Sequence, residues 1–362
     1  MSDLQKIIES LGILGWEDVA PTFFSSWIAG VPSVLIGEPG ASKTTFQVRF
    51  CEALGQKVEI LDLQYLTPSR LIGIPNPDKL KLGLLEYVGG LVASHPDVVI
   101  LEEINRCHDS TQSLILEFLR EGRLDKHYIK CKRIASCNPP GVNSLVGVHY
   151  LDYAQATRMV HIPVPNLTSS LTNKFVSEWG LRWKLNPEVG EACKYVDSIQ
   201  LEKPPQDLFE SISKSLIENL SEYKLSGRQI DTLLRLLCAS WTLEKKKLHE
   251  FTAHDLGRLA VSVIPLTLSK TPWSIQPDVL QIQVAKGLPN FPWKDPIKTV
   301  LPFNASVEVE SNKQKFQWME IEDILPNIKG KKNENFIAFE ILMEKILKSP
   351  AWDKPFDNFI SF

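Results

Sequence analysis

One stretch of the sequence restricts the fold more than any other. Residues 36–46 read Ile-Gly-Glu-Pro-Gly-Ala-Ser-Lys-Thr-Thr-Phe, between an apolar run at 31–36 and a segment at 46–54 with helical apolar spacing. Glycines in a turn let backbone N–H groups curl around phosphate oxygens, and the dipole of the following helix adds partial positive charge there. The order strand, glycine-bearing turn, helix is therefore typical of a phosphate-binding loop in an α/β protein.

The loop predicts which residues would contact a phosphorylated ligand. Lys43 would reach the outer phosphates, and the Thr44 hydroxyl would bind Mg²⁺. Ser42 departs from the pattern G-x-x-x-x-G-K-[ST], and a left-handed backbone at a serine costs roughly 1–2 kcal/mol. A chance strand–turn–helix without a ligand is the alternative. The predicted binding residues are consecutive: Gly37, Glu38, Pro39, Gly40, Ala41, Ser42, Lys43, Thr44 and Thr45.

The composition of the chain argues against several classes of protein. The chain has 362 residues, enough for two or three domains, and its net charge of −3 gives no reason to expect nucleic acid or a membrane surface as partner. No apolar stretch is long enough to span a bilayer, and the N-terminus has no leader pattern. The six cysteines lack C-x-x-C pairing, which argues against a zinc site and for free thiols in a reducing compartment. We therefore expect a cytoplasmic protein.

Apolar runs and amphipathic segments alternate through the first part of the chain. Four consecutive apolar residues at 98–101 indicate a strand buried on both faces, as in a parallel sheet. The alternation predicts a doubly wound α/β core of about five strands, between flanking helices, over residues 1–165. Predicted strands lie at 31–36, 57–62, 97–103, 132–138 and 158–164; predicted helices lie within 1–30, at 67–73 and at 110–120; residues 75–78 are predicted to be a loop.

Two further regions are predicted beyond the core. Residues 166–270 have a helical pattern, clearest at 225–241 and 252–268, and the second of these segments begins with the capping-box pattern Thr-Ala-His-Asp. Residues 271–362 are richer in proline and tryptophan, and we interpret them as a separate C-terminal module of unknown fold. Their tryptophans suit either a docking patch or a core.

Two carboxylates end the strand at 97–103. In a nucleotide-binding sheet, ligands collect at the carboxyl ends of the strands, so we expect Glu102 and Glu103 beside the phosphate loop. Glu102 would hold the water shell of Mg²⁺ near Thr44. Glu103 would polarise a water that attacks the terminal phosphate. The alternative is a strand that simply ends in solvated acids.

Phosphoryl transfer also needs a group that positions the water and cations that absorb negative charge. Asn138 ends the next predicted strand and could position the water. Arg158 and Arg228 are candidate cations. Taken singly, an asparagine before two prolines is more typical of a turn, and each arginine is more typical of a solvated surface.

Taken in order, these motifs resemble those of the AAA+ ATPases, within them the MoxR-like and dynein-related branch. The stretch Leu-Glu-Glu-Ile-Asn-Arg at 101–106 is the most specific match. The related restriction-type GTPase branch shares Glu-Ile-Asn-Arg, but its Asn-Thr-Ala-Asp is replaced here by Asn-Pro-Pro-Gly at 138–141. Other similar segments are the nucleotide motif at 37–44, the segment before a helical insert at 66–73, the sensor-1 strand at 134–139, the arginine-finger segment at 151–159, the sensor-2 start at 225–229 and the end of the lid at 251–256.

The resemblance implies an AAA+ α/β core, a helical lid and a ring of subunits, usually a hexamer, that binds and hydrolyses ATP with Mg²⁺. Asn138 would be the sensor residue, Arg158 would reach the ATP of the neighbouring subunit, and Arg228 would report the phosphate state to the lid. Such proteins remodel a protein client, often with a partner that bears a von Willebrand factor A domain. The chain itself shows no Asp-x-Ser-x-Ser motif of that domain.

Two departures from the family pattern support a second hypothesis. Ser42 stands where glycine is usual, and Glu102 stands where aspartate is usual, which moves the carboxylate by about 1.5 Å. A nucleotide-dependent structural switch or assembly scaffold, with little or no hydrolysis, would suit these changes. A third hypothesis, a nucleic-acid motor, is disfavoured by the acidic balance and by the lack of interleaved basic and aromatic residues.

Overall fold

The computed structural model describes residues 3–138, 151, 153–165, 176, 187–221, 224–264, 309–311 and 314–316. In chain order, the elements of the first part are α1 (Asp3–Ser10), α2 (Val19–Ala29), β1 (Ser33–Ile36), α3 (Lys43–Leu54), β2 (Val58–Asp62), α4 (Pro68–Ile72), β3 (Ile74–Pro75), α5 (Pro77–Lys81), β4 (Tyr87–Val88), α6 (Gly90–Ser94), β5 (Val98–Glu102), α7 (Asp109–Glu121), β6 (Arg123–Leu124), β7 (His127–Tyr128), β8 (Lys132–Cys137), α8 (Tyr153–Ala156) and β9 (Val160–Pro163). They are followed by α9 (Pro187–Ser198), α10 (Gln206–Asn219), α11 (Gly227–Lys245), α12 (Ala253–Ser262), β10 (Val309–Ser311) and β11 (Gln314–Phe316).

The chain divides into two compact units, Met1–Trp293 and Lys294–Phe362. In the second unit, the described residues form one antiparallel hairpin of β10 and β11. The predicted domain limits at residues 165 and 270 stay predictions. The tryptophans singled out in the C-terminal sequence (Trp273, Trp293, Trp318 and Trp352) lie outside the described residues. Among the described helices, none combines the length and the apolar character needed to cross a bilayer.

A five-stranded sheet of order β2-β5-β8-β1-β9 forms the centre of the first unit, and all of its neighbouring strands are parallel. The predicted α/β fold with five strands is confirmed. Ile36 at the end of β1 pairs with Cys137 of β8, and Leu101 near the end of β5 pairs with Ala135. Because the strands are parallel and in this register, the residues that follow β1, β5 and β8 meet at one edge of the sheet.

Aromatic packing fixes the helix that follows the predicted phosphate loop. Phe46 and Phe50 lie one turn apart on α3 and are fully buried. The ring centroid of Phe23 on α2 lies 4.7 Å from that of Phe46 and 5.4 Å from that of Phe50, and Trp16 lies 4.8 Å from Phe46. The two contacts of Phe23 are edge-to-face, and each such contact adds about 0.5–1.5 kcal/mol to the burial of the rings. The N-terminus of α3 is therefore held by the core only one turn away from Lys43.

The helical region after residue 187 packs against the α/β core. The hydroxyls of Ser25 on α2 and Ser240 on α11 share a buried hydrogen bond of 2.8 Å. On α9, Asp197 accepts a hydrogen bond of 2.8 Å from the Trp27 indole and pairs with Lys132 at 3.1 Å. Helices are thus observed where the sequence predicts them, although residues 265–268 of the second predicted helix lie outside the described residues.

The predicted loop at residues 75–78 is wrong. Pro75 belongs to β3, which pairs with β4, and Pro77 begins the short helix α5. Asn76 caps this helix, because its side chain accepts hydrogen bonds from the N–H groups of Asp78 and Lys79. Proline suits the first helical position, since its fixed φ is already helical. Asparagine followed by proline is therefore a helix start here, within an insert of residues 74–88.

The capping box predicted at the start of α12 is confirmed. The Thr252 hydroxyl accepts a hydrogen bond of 3.2 Å from the Asp255 N–H, and the Asp255 carboxylate accepts one of 2.9 Å from the Thr252 N–H. We expect Thr252→Ala to lower the free energy of unfolding by about 1 kcal/mol, because a helix N–H loses its acceptor. Urea unfolding measures this, with Thr252→Ser as the control that keeps the hydroxyl. Equal losses in both variants would contradict the capping role.

Candidate functional site

A cavity of about 310 Å³ lies at the carboxyl edge of the sheet, beside the loop between β1 and α3. The fold brings together residues that are about a hundred positions apart in sequence, because β1, β5 and β8 are parallel neighbours. Ser136, which the sequence did not mark, also contributes to the wall. The lining residues are Pro39, Gly40, Ala41, Ser42, Lys43, Thr44, Thr45, Glu102, Glu103, Ser136 and Asn138.

The backbone of the loop has the conformation that its glycines suggest. Gly40 has φ +88°, and Ser42, immediately before α3, has φ +62°, so both are left-handed. A side chain at Gly37 has no room, since a Cβ there would lie 2.9 Å from the carbonyl oxygen of Val164. The left-handed backbone expected at Ser42 is thus observed. The Ser42 side chain forms no capping hydrogen bond with α3.

Ser42→Gly is expected to raise the free energy of unfolding by up to about 1 kcal/mol. Glycine removes the cost of about 1–2 kcal/mol that a left-handed backbone imposes on serine. It also increases the conformational entropy of the unfolded chain, which lowers the free energy of unfolding by about 0.4–1 kcal/mol. Urea unfolding without nucleotide measures the change. Ser42→Ala keeps the strained backbone and serves as the control without a gain. A less stable Ser42→Gly variant would show that the serine side chain contributes more than the strain costs.

Lys43 lies at the base of the loop with 8% of its surface exposed. Its Nζ donates hydrogen bonds to the carbonyl oxygens of Gly37 at 2.6 Å and Glu38 at 2.9 Å, and to Oδ1 of Asn138 at 3.2 Å. Burial lowers the pKa of Lys43, while the nearby Cys137, Glu103 and Glu38 groups act in the opposite direction. The ammonium group is therefore a buried donor on the cavity wall, where an anionic ligand would interact with it strongly.

Glu103 and Asn138 contact each other across the cavity floor. The Asn138 Nδ2 donates to both carboxylate oxygens of Glu103, at 3.0 and 3.2 Å. Asn138 is itself held by Asn105, whose Nδ2 donates to the Asn138 carbonyl oxygen at 3.0 Å. Sequence reasoning missed Asn105. Its signal was the Glu-Ile-Asn-Arg stretch, but only the turn after β5 shows that this asparagine faces the end of β8.

The acidic residue before Glu103 fits a divalent cation. The Oε1 of Glu102 is buried and accepts no hydrogen bond from any described residue. A buried carboxylate oxygen without a donor at a cavity is suited to Mg²⁺ or to its bound water, and Thr44 lines the same cavity. Among the described residues, no group of three His, Cys, Asp or Glu side chains could hold a metal. Mg²⁺ does not need such a group, because it usually keeps several water ligands and binds to phosphates as well as to one or two protein carboxylates.

The two predicted arginines are not part of this cavity wall. Arg158 precedes β9, whose first residue Val160 pairs with Ser33 at the amino end of β1. The phosphate loop follows the carboxyl end of β1, so four residues of strand, about 13 Å at 3.3 Å per residue, separate the two positions. The Arg158 guanidinium donates to the carbonyl oxygen of Ala154. Arg228 is exposed in the first turn of α11.

Comparison with known proteins supports the α/β fold and gives a family match that includes the loop between β1 and α3. Residues 32–159 match the model of a family described as AAA domain (dynein-related subfamily). A crystal structure of a candidate ATPase from Cytophaga hutchinsonii superimposes with a TM-score of 0.57 at 17% identity, covering 79% of this chain and 94% of that one. At that identity the likeness shows the fold alone. None of the curated proteins matches this sequence. Residues 32–159 thus form an AAA domain of the dynein-related branch of the AAA+ ATPases.

Proposed function

We propose that the protein binds ATP with Mg²⁺ in this cavity and hydrolyses the terminal phosphoric anhydride bond. The observation that carries the proposal is that Lys43, Glu103 and Asn138 line one cavity. This cavity lies beside the loop that precedes the N-terminus of α3. The Asn138 amide accepts a hydrogen bond from Lys43, the donor for phosphate oxygens, and donates to the Glu103 carboxylate. Hydrolysis of a phosphoanhydride requires such a set.

Each residue of the site has a distinct role in the proposed reaction. The loop N–H groups and Lys43 would bind the phosphates. Thr44 and Glu102 would hold a Mg²⁺ ion or its water shell, and the ion would supply positive charge that offsets the charge of the phosphates. Glu103 accepts the proton of the attacking water, and Asn138 orients both the water and the carboxylate. Phosphate and the nucleoside diphosphate are the products.

We place the second half of the site on a neighbouring subunit. Arg158 lies near the amino edge of the sheet, away from the loop of its own chain, and this position suits a role at the site of a neighbouring chain. This supports a ring of subunits, and the family resemblance favours a hexamer. Arg228 on α11 would join the site when the helical lid closes over the nucleotide. In a ring, each ATP would then lie between two chains.

The proposed role of the ring is to remodel or assemble a protein client, as in MoxR-like proteins, where a von Willebrand factor A domain partner is frequent. The insert of residues 74–88 supports a protein client, because a continuous segment of it exposes apolar side chains to solvent. Such patches on a soluble surface are typical of protein contacts. The exposed side chains are Ile74, Leu80, Leu82, Leu84, Leu85 and Val88, each more than half exposed.

A structural switch with little turnover is the second candidate. The left-handed Ser42 and the glutamate at position 102 favour it, because both depart from the usual loop and metal-binding residues. In this case ATP would assemble the ring, and dissociation of the nucleotide would release it.

One experiment separates the two candidates. ATP turnover and particle mass by light scattering are measured for the wild-type protein, for Lys43→Ala and for Glu103→Gln. We expect turnover in a ring-sized particle, and loss of turnover in both variants. Lys43→Ala should also lose nucleotide binding, because Lys43 is the buried cation of the loop. A ring that assembles in ATP without turnover would favour the switch, and no response to ATP would reject both.

A further inference from the structure

Arg106 does not line the cavity, yet it contacts the carboxylate proposed to activate water. Its Nε lies 3.0 Å from Oε2 of Glu103, an ion pair in which Nε makes no hydrogen bond to any described residue, and its Nη1 donates a hydrogen bond of 3.3 Å to the side-chain oxygen of Gln64. We propose that Arg106 is a positioning residue that fixes the Glu103 carboxylate, and that Gln64 holds Arg106 in place. This inference rests on the proposed function, since it concerns the same reaction.

The turn after β5 creates this contact. Glu103 has a left-handed backbone with φ +50°, and the next three residues, Ile104–Arg106, form one turn of 3₁₀ helix. The Arg106 N–H donates to the Glu103 carbonyl oxygen at 2.8 Å, which closes the turn. Ile104 is fully buried and fixes the turn in the core. Side chains three residues apart eclipse in a 3₁₀ turn, so Arg106 is brought alongside Glu103.

The two oxygens of the Glu103 carboxylate have different partners. Asn138 donates to both, whereas Arg106 is charge-paired with Oε2 alone. A carboxylate has about four lone-pair sites, so Oε1 keeps more capacity to accept a proton from water. In the proposed arrangement, the positive charge of Arg106 attracts Oε2 and opposes rotation of the carboxylate, which leaves Oε1 for the attacking water. Without it, Asn138 alone would hold a group that can turn about its last side-chain bond.

Burial makes the contact stronger than an ordinary surface ion pair. The side chain of Arg106 is 20% exposed and that of Glu103 is 29% exposed. Exposed pairs contribute little, while partly desolvated charges are screened less by water. Gln64 is exposed and forms a longer contact, so its own contribution is smaller. It follows β2, the edge strand beside β5, and thus links a second strand end to the carboxylate.

The test compares steady-state kinetics and nucleotide affinity of the full chain. We expect Arg106→Ala to lower kcat about 10- to 100-fold, since a misplacement of about 1 Å can cost 10²-fold. KM for ATP and the Kd of a bound nucleotide should stay within about twofold, because the loop that binds phosphate is unchanged. Arg106→Lys should recover part of the rate through its charge, and Gln64→Ala should have a smaller effect than Arg106→Ala. Arg120→Ala, an exposed arginine on α7, is the matched control.

A double variant tests whether Arg106 acts through Glu103. If it does, adding Arg106→Ala to Glu103→Gln should change kcat much less than it changes the wild-type kcat. Wild-type turnover that persists at full rate in Arg106→Ala would overturn the inference and leave the proposed function intact. A parallel loss of nucleotide affinity or of melting temperature would assign Arg106 a structural role and also overturn it. A wild-type protein without turnover would instead reject the proposed hydrolysis itself.

Discussion

Replacing Arg158 with alanine is expected to lower ATP turnover by about 10³- to 10⁵-fold. This is the effect of removing an arginine that a neighbouring subunit supplies to stabilise the transferring phosphoryl group, which is the role proposed for Arg158. Nucleotide binding should persist, since the loop and Lys43 lie at the other edge of the sheet. Steady-state turnover and nucleotide affinity, measured on the same preparation, separate the two effects. Arg158→Lys keeps the charge but loses the planar fork, so its turnover should lie between those of wild type and alanine.

Mixing two inactive variants tests whether Arg158 acts between chains. If the proposed roles are correct, Lys43→Ala disables the loop of its own chain, and Arg158→Ala removes the cation that the chain would give to its neighbour. In a mixed ring, an interface can pair an intact loop from the Arg158→Ala chain with an intact arginine from the Lys43→Ala chain. Turnover should therefore return on mixing. Wild-type turnover in Arg158→Ala, or a mixture that stays inactive although the chains exchange, would contradict the role in trans.

Replacing Glu103 with glutamine is expected to lower kcat by about 10²- to 10⁴-fold, the contribution typical of a general base. Glutamine has the same shape, and its amide oxygen can still accept the hydrogen bond from Asn138. It cannot take a proton from water. ATP should therefore remain bound, and the particle measured by light scattering in ATP should be at least as large and long-lived as that of wild type.

The matched control for this variant is Glu121→Gln, at the end of α7 and away from the cavity wall. It removes one negative charge from the same unit and should leave turnover unchanged. A Glu103→Gln protein that hydrolyses ATP at the wild-type rate would show that another group activates the water. Glu102→Gln gives independent information, because its turnover should recover in part at higher Mg²⁺ concentration if this residue holds the metal ion.

The sequence predicts much of the cavity because its residues follow strands. Lys43, Glu102, Glu103 and Asn138 each stand at the start of a helix or the end of a strand that apolar patterning reveals. Parallel strands bring such positions to one edge, so a correct strand assignment is sufficient to predict their proximity. The left-handed backbone at Ser42 follows from the loop pattern in the same way.

Contacts that depend on single turns could not be predicted in this way. The ion pair of Arg106 with Glu103 requires a left-handed residue followed by a 3₁₀ turn, which no periodicity indicates. The β3–β4 hairpin within residues 74–88 was missed because its strands have only two residues each, too short for an alternating pattern. The distance of Arg158 from the loop depends on the strand order, which places β9 next to β1.

The aromatic packing beneath α3 has a consequence for the affinity and speed of nucleotide binding. Phe46, one turn after Lys43, is fixed between Phe23 and Trp16, and Lys43 already bonds to the carbonyl oxygens of its own loop. The loop is therefore preorganised, and phosphate binding does not have to order a flexible segment. Ordering each loose side chain would weaken binding by about 0.5–1.5 kcal/mol. With the loop already shaped by the core, association should be limited by encounter with the nucleotide rather than by folding of the site.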